Sequence, residues 1–285
     1  MSYSLCTNSG HIALIPRASK ILLRIIQGRL ATYIENEISE EQAEFRKGRG
    51  TREQIANIRW ILEITREYGK TILMCFIDYS KAFDCVDHSR LWNILRSMGM
   101  PEHFIVLIRS LYTNQEAAVK TEYGNTEWFE MRKGVRQGCI LSPYLFNMYS
   151  EYILRRVGFD DNIGVKVGGR TINNLRYADD TTILAENKED MVKLLEKLKE
   201  ESEKAGLMLN LQKTKIMTTG TLNEFILNRT EMEIIDFYTF LASIITRDGN
   251  EYKEINRRLS IGRTAMTKLE KIMEDWDLRK LLKLK

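Results

Sequence analysis

Three carboxylates are placed where they could do chemistry. Asp78 closes an apolar, β-rich run over 71–78, and Asp179 and Asp180 stand side by side between two short flanks, 174–178 and 181–185. Taken singly, an aspartate at a turn most often forms the turn with its own side chain, and Asp78 at a strand end has a similarly ordinary reading. Taken together they read differently. Carboxylates at neighbouring strand ends repel one another unless positive charge lies between them, and hard divalent cations favour such oxygen clusters. Two ions about 4 Å apart can activate a hydroxyl and stabilise a leaving pyrophosphate. The sequence thus offers a two-metal phosphoryl-transfer site, while spacing alone leaves the turn-forming reading open.

Elements must position these residues. Between 17 and 37 apolar residues recur at Leu22, Ile26, Leu30 and Tyr33-Ile34, the spacing of an amphipathic helix. Thr51-Arg52-Glu53-Gln54 has the form of a capping box and predicts a helix to about residue 68, with Ile55, Ile58, Ile61, Leu62 and Thr65 inward and Gly69 ending it. The run 71–78 reads as a buried strand. Helices follow over 88–98 and 101–112, then a hairpin over 117–131 broken at Tyr123-Gly124-Asn125. Ser142-Pro143 fits an N-cap and first helical position for a helix to about residue 156. Strand, turn and strand surround Asp179-Asp180. A helix over 188–205 buries Met191, Leu194, Leu195 and Leu198 and closes at Gly206. Short strands in 207–217 and 238–246 flank a looser hairpin. The last thirty residues are helical, with Ile255, Leu259, Met266, Leu269, Ile272, Met273 and Trp276 on one side. The fold class is α+β: a central antiparallel sheet with helices packed on it, without internal repeat or linker.

Composition sets the outer bounds. In 285 residues, 44% hydrophobic and 29% charged side chains exclude global disorder, and 3 Pro with 17 Gly argue against low-complexity architecture. The four cysteines, Cys6, Cys75, Cys85 and Cys139, are scattered and read as reduced thiols. The first five residues lack a signal-peptide pattern, and the longest apolar run, 72–77, is too short to span a bilayer. An intracellular protein with no membrane partner is expected. The net charge is +4, but residues 253–285 carry ten Lys and Arg against five Asp and Glu, so the preceding 252 residues sum to −1. A second basic cluster is Arg46-Lys47-Gly48-Arg49 with Arg52. Nucleic acid suits such patches, and solvated helix faces are the alternative.

Four segments carry a resemblance. FIDYSKAFDCVD (76–87), GVRQGCILSPYLFN (134–147), YADD (177–180) and GLMLNLQKTK (206–215) occur in the order and spacing of reverse transcriptases. The chain resembles the LINE-type branch, from non-LTR retrotransposons, over about 12–275. The first two segments are long and specific, whereas YADD alone is a weak signal. The resemblance implies a right-hand polymerase fold, with helical fingers over 1–70, a palm over 71–250 that includes a primer-grip turn at Phe240-Leu241-Ala242, and the start of a helical thumb over 251–285. It implies an RNA-directed DNA polymerase that adds deoxynucleotides to the 3′-hydroxyl of a DNA primer on an RNA template, with two Mg²⁺ ions that Mn²⁺ can replace.

Residue by residue, the resemblance implies that Asp78 and Asp179 hold the ions, with Asp180 beside them. Phe83 matches the aromatic gate that clashes with a ribose 2′-hydroxyl; a core aromatic is the alternative. Gln137 resembles a residue lining the nucleotide pocket, where Gly138 allows close backbone approach. Lys213 matches a lysine that protonates or steadies pyrophosphate. Arg46, Lys47 and Arg49 lie in a fingers loop that faces either the triphosphate or the template backbone.

The chain also departs from the family pattern. Gly10, in Ser9-Gly10-His11-Ile12, stands where an Arg reaching the triphosphate is usual, and Glu44 stands where Gly precedes Phe45. Ala242 replaces the primer-grip Gly, at a cost of roughly 1 kcal/mol or more if φ is positive there. The chain stops at Lys285, early in a thumb, and no endonuclease, RNase H or zinc-knuckle domain is expected. These departures support a rival reading, a catalytically impaired relic that keeps the fold and binds nucleic acid weakly. An Asp-rich signalling domain on a parallel sheet is disfavoured by the antiparallel Asp-Asp hairpin.

Overall fold

A computed structural model describes residues 17–121, 124–136, 138–159 and 162–273. Five strands form the main sheet: β1 (Leu73–Ile77), β8 (Asn174–Tyr177), β9 (Asp180–Ala185), β10 (Lys215–Thr218) and β13 (Glu233–Ile234), in the order β13-β10-β1-β9-β8. All neighbours are antiparallel except β10 and β13, a two-residue parallel pairing at the edge. Both faces are covered, which explains why β1 reads as an unbroken apolar run. Leu73, Cys75 and Ile77 enter one core, while Met74 and Phe76 enter the other.

The larger core is built with helices α1 (Arg17–Glu37), α4 (His88–Ser97), α5 (Glu102–Tyr112), α6 (Ser142–Val157) and α7 (Lys188–Ala205). The smaller gathers α2 (Thr51–Glu67), the hairpin β6 (Val165–Val167) and β7 (Arg170–Ile172), and the hairpin β14 (Phe237–Phe240) and β15 (Ser243–Thr246). The remaining elements are α3 (Ala82–Cys85), the nested pairs β2 (Glu116–Ala117) with β5 (Phe129–Glu130) and β3 (Lys120–Thr121) with β4 (Gly124–Asn125), the hairpin β11 (Ile226–Leu227) and β12 (Thr230–Glu231), and α8 (Tyr252–Met273).

Several local expectations are corrected. α2 is capped by Gly50 without a side-chain bond, so Thr51 opens the helix but does not cap it. Ser142 is likewise inside α6, its hydroxyl donating instead to Arg136 O at 2.7 Å. α1 turns Leu23 inward and leaves Leu22 and Tyr33 exposed. The strand expected over 207–217 begins only at Lys215, because 210–214 fold into a turn held by Asn210. On α8, Ile255, Leu259, Met266 and Leu269 are exposed, so the apolar stripe is not a core face among the described residues; Ile272 and Met273 side chains and Trp276 lie outside them. No described helix is long and apolar enough to cross a membrane.

Candidate active site

The sheet brings the three aspartates to one end. β1 finishes with Ile77 opposite Thr181, and Tyr177 pairs with Asp180 across the β8–β9 turn. Carrying the β1–β9 register one step further sets Asp78 opposite Asp180, where paired Cα atoms lie about 5 Å apart. Asp179 occupies the turn between them. Ala178 before it adopts φ 52°, a left-handed conformation unusual for a residue with a Cβ.

Asp78 is fixed through its backbone by the loop that carries Lys213. Its N–H donates to Thr214 Oγ1 at 3.2 Å, its carbonyl accepts from Asn210 N–H at 2.8 Å, and Ser80 N–H donates to Met208 O at 2.9 Å. Lys213 is exposed at the tip of that turn, its N–H held by Asn210.

At this proximity the charges act on one another. Asp180 opens toward solvent, yet desolvation by the surrounding protein, with the charges of Asp179 and Asp78, pushes its pKa up to about 6. Desolvation and Asp78 raise Asp179, against a lowering backbone hydrogen bond. Glu44 joins them: burial, then Asp179, then Asp180, push its pKa up to about 7, and its Oε2 is buried without a hydrogen-bond partner. None of the three aspartates is in an ion pair among the described residues. No group of three His, Cys, Asp or Glu side chains in the described residues is drawn together tightly enough to hold a metal ion. The donor set itself, hard anionic oxygens unpaired with Lys or Arg, is the kind that divalent cations take.

A cleft of ≈ 610 Å³ lined by Phe45, Phe83, Arg136, Gly138, Cys139 and Tyr144, among others, lies beside this end of the sheet. Phe83 sits on the single turn of α3, which starts after Lys81 at φ 52°, and its ring stacks on Phe146 at 4.5 Å while keeping one side on the cleft. Gly138 takes φ 87°, a conformation that suits glycine. Gln137 and Gly10 lie outside the described residues. The basic loop is less open than its composition suggests. Arg46 is bound to Glu35 at 3.0 Å and to Ser39 O at 2.7 Å, and Arg49 donates to Glu40 O, whereas Lys47 is exposed. Arg46 therefore braces the loop against α1.

The β14–β15 hairpin packs on the sheet face behind Asp78. Phe76 stacks on Tyr238 with centroids 4.2 Å apart, and burial with the charges of Asp180 and Asp78 raises the Tyr238 phenol. At its turn Leu241 and Ala242 have φ 46° and 61°, so the strain anticipated at Ala242 is present. Arg257 of α8 donates to Ala242 O at 2.6 Å, and Glu254 accepts from Ile244 N–H at 3.0 Å.

The sequence reading did not anticipate the pair Arg176–Glu151, buried on both sides and 2.8 Å apart, with Arg176 also donating to Asn174 and Ser39. Nor did it place Glu44 beside the aspartates. That departure from the family pattern was visible at position 44, but its 3-D neighbours are more than 130 residues away in sequence.

A family model described as "Reverse transcriptase (RNA-dependent DNA polymerase)" matches residues 9–254. A Drosophila melanogaster Pol polyprotein of the type-2 retrotransposable element R2DM is 28% identical over 241 residues, covering 83% of this chain and 22% of the relative. The RNA-directed DNA polymerase from mobile element jockey of Drosophila funebris is 31% identical over 143 residues, 48% of this chain and 15% of the relative. The chain thus spans about a fifth of these relatives' length. Telomerase from Candida tropicalis, solved in complex with a TWJ fragment of telomeric RNA, shares the fold at TM-score 0.52 and 14% identity, over 83% of this chain and 38% of that one. The right-hand polymerase palm inferred from the motifs is therefore the fold observed. With the match covering most of its length and its relatives among non-LTR elements, the chain belongs to the reverse transcriptase (RNA-dependent DNA polymerase) family.

Proposed function

We propose that the chain is the polymerase domain of a non-LTR retrotransposon protein and extends a DNA primer on an RNA template with deoxynucleoside triphosphates. The observation that carries this reading is the convergence of Asp78, Asp179 and Asp180 at one sheet end beside a cleft walled by Phe83. The RNA-bound telomerase of similar fold and the jockey polymerase support the choice of template and product.

Asp78 and Asp179 would hold two divalent ions, with Asp180 adjacent; Mg²⁺ is the ion proposed and Mn²⁺ its substitute. Bound there, such ions supply charge neutralisation for the phosphates and lower the pKa of the primer hydroxyl. The chain's own residues do the rest. Phe83 lines the cleft, and its ring is the group that would exclude a 2′-hydroxyl, so the pocket admits deoxyribose. Gly138 offers its backbone to the nucleotide at the cleft wall. Lys47 and Arg49 offer charge to phosphates from the fingers loop that Arg46 braces, and Lys213 steadies the pyrophosphate from the turn next to Asp78. As the primer 3′-oxygen gives up its proton to solvent and bonds the α-phosphorus, the bond to the bridging oxygen breaks and the charge leaves on pyrophosphate. In domain terms, 1–70 act as fingers, 71–250 as palm and 251–285 as the start of a thumb.

Primer extension by the purified protein on an RNA template, with Mg²⁺ and Mn²⁺ in parallel, tests the reading. Extension that disappears in Asp179→Ala/Asp180→Ala is expected. No extension from wild-type protein that melts cooperatively would contradict it and leave the motifs as a record of ancestry.

A further inference from the structure

We propose that Gln42 is a positioning residue for the catalytic hairpin, holding Ala178 in the left-handed conformation that aims Asp179. This rests on the polymerase reading of the aspartates above, and goes beyond it in assigning a residue 136 positions away in sequence. Gln42 is 1% exposed and lies on the edge of the main sheet, where 41–43 pair in parallel with β8. Ala43 N–H donates to Arg176 O, and Arg176 N–H to Glu41 O, both at 3.0 Å.

From that extra strand the Gln42 carboxamide reaches the hairpin turn. Its Oε1 accepts from Ala178 N–H at 3.1 Å, and its Nε2 donates to Ala178 O at 3.4 Å. Both peptide groups of Ala178 are thus bound by one side chain. A left-handed alanine is disfavoured relative to the ordinary helical or extended regions, and such a residue persists only where its surroundings over-determine it. The paired amide is that determinant.

The same side chain is itself held. Nε2 also donates to Asn147 Oδ1 at 3.3 Å, and Oε1 accepts from Glu44 N–H at 3.1 Å. Asn147 in turn donates to Glu44 O at 3.0 Å, fixing the start of the fingers loop on α6. Gln42 therefore ties three parts into one unit: the aspartate turn, α6 and the loop that opens with Phe45. A shift of about 1 Å at the reacting groups can reduce a rate about a hundredfold, so loss of this tie belongs in turnover rather than in nucleotide affinity.

Gln54 is the internal control. It is equally buried and bridges the same seam, donating to Glu41 O at 2.8 Å and Arg176 O at 3.1 Å, but it does not reach Ala178. The test compares Gln42→Met and Gln54→Met, each near-isosteric and unable to hydrogen-bond. Amide hydrogen exchange of a peptide covering 177–181 is the readout that needs no activity. The proposal expects exchange about tenfold or more faster in Gln42→Met and near wild type in Gln54→Met. It also expects kcat for primer extension about tenfold to a hundredfold lower in Gln42→Met, with nucleotide KM within about threefold. Equal exchange in both variants, whether fast or slow, would overturn it, as would a Gln42→Met enzyme with wild-type kcat. Should Gln42→Met not melt cooperatively, Gln42→Asn, which keeps the amide but falls one methylene short, is expected to give the same selective change. If wild-type protein extends no primer, the polymerase reading fails, while the exchange comparison still decides the role of Gln42.

Discussion

The gating role proposed for Phe83 can be tested apart from its packing. One face of its ring stacks on Phe146 while the other borders the cleft. Phe83→Val keeps an apolar side chain but removes the ring that would meet a ribose hydroxyl. Discrimination against ribonucleotides is expected to fall about tenfold to a hundredfold, measured as the ratio of kcat/KM for a deoxynucleotide and its ribonucleotide. An unchanged ratio would return Phe83 to the role of a core aromatic. Glu44 makes a separate prediction at this scale. Burial and the neighbouring carboxylates hold it at about 7, above the ordinary 4.5, and Asp180 at about 6, above the ordinary 3.8. The native state therefore holds protons that the unfolded chain has released. The stability these groups contribute is complete below the unfolded values and is lost as pH rises from about 4 to about 7. In EDTA, Glu44→Gln should melt progressively higher than wild type on going from pH 5 to pH 7.5, because it removes one of the repelling charges. A melting difference that stays constant across that range would show that Glu44 does not titrate against the aspartates.

At the scale of elements, two of the turns that hold left-handed residues other than glycine bear on the candidate site. One holds Ala178 and belongs to the Asp179-Asp180 hairpin; the other holds Leu241 and Ala242 between β14 and β15. The second is tied to α8 through Arg257 and Glu254, so a costly backbone is supported from outside the hairpin. Ala242→Gly should relieve the left-handed cost and stabilise the protein by about 1 kcal/mol, read from urea unfolding at constant m-value. Destabilisation would mean that the Cβ of Ala242 contributes packing greater than its strain. These elements were unevenly legible in the sequence. β1 and α7 announced themselves by an unbroken apolar run and by helical periodicity with Gly206 at its end, because burial and capping are local signals. The caps of α2 and α6 were misplaced, because Thr51 and Ser142 have the right chemistry but find themselves one residue inside the helix. The strand of 207–217 was overextended, because Asn210 and Thr214 fold 210–214 into a turn that pins Asp78.

Across the whole molecule, one sheet with two cores explains how residues from four distant segments reach a common end. The motifs located Asp78, Asp179, Asp180 and Phe83 because each sits in a short pattern whose residue types are dictated locally. Glu44 and Gln42 were not legible as site residues, since their importance comes from a parallel pairing of 41–43 with β8 that no local pattern encodes. The apolar stripe of α8 reads as a core face by period alone, yet Leu259 and Met266 are exposed among the described residues. The same long-range order makes the central proposal testable without nucleic acid: that three carboxylates from two chain segments together bind divalent cations. The measurement is a Mn²⁺ titration followed by electron paramagnetic resonance at pH 7.5, on wild type, Asp78→Asn and Asp179→Asn, all folded by cooperative melting. The account predicts saturable binding to wild type that weakens about tenfold or more in each variant. Equal binding by all three proteins would contradict it.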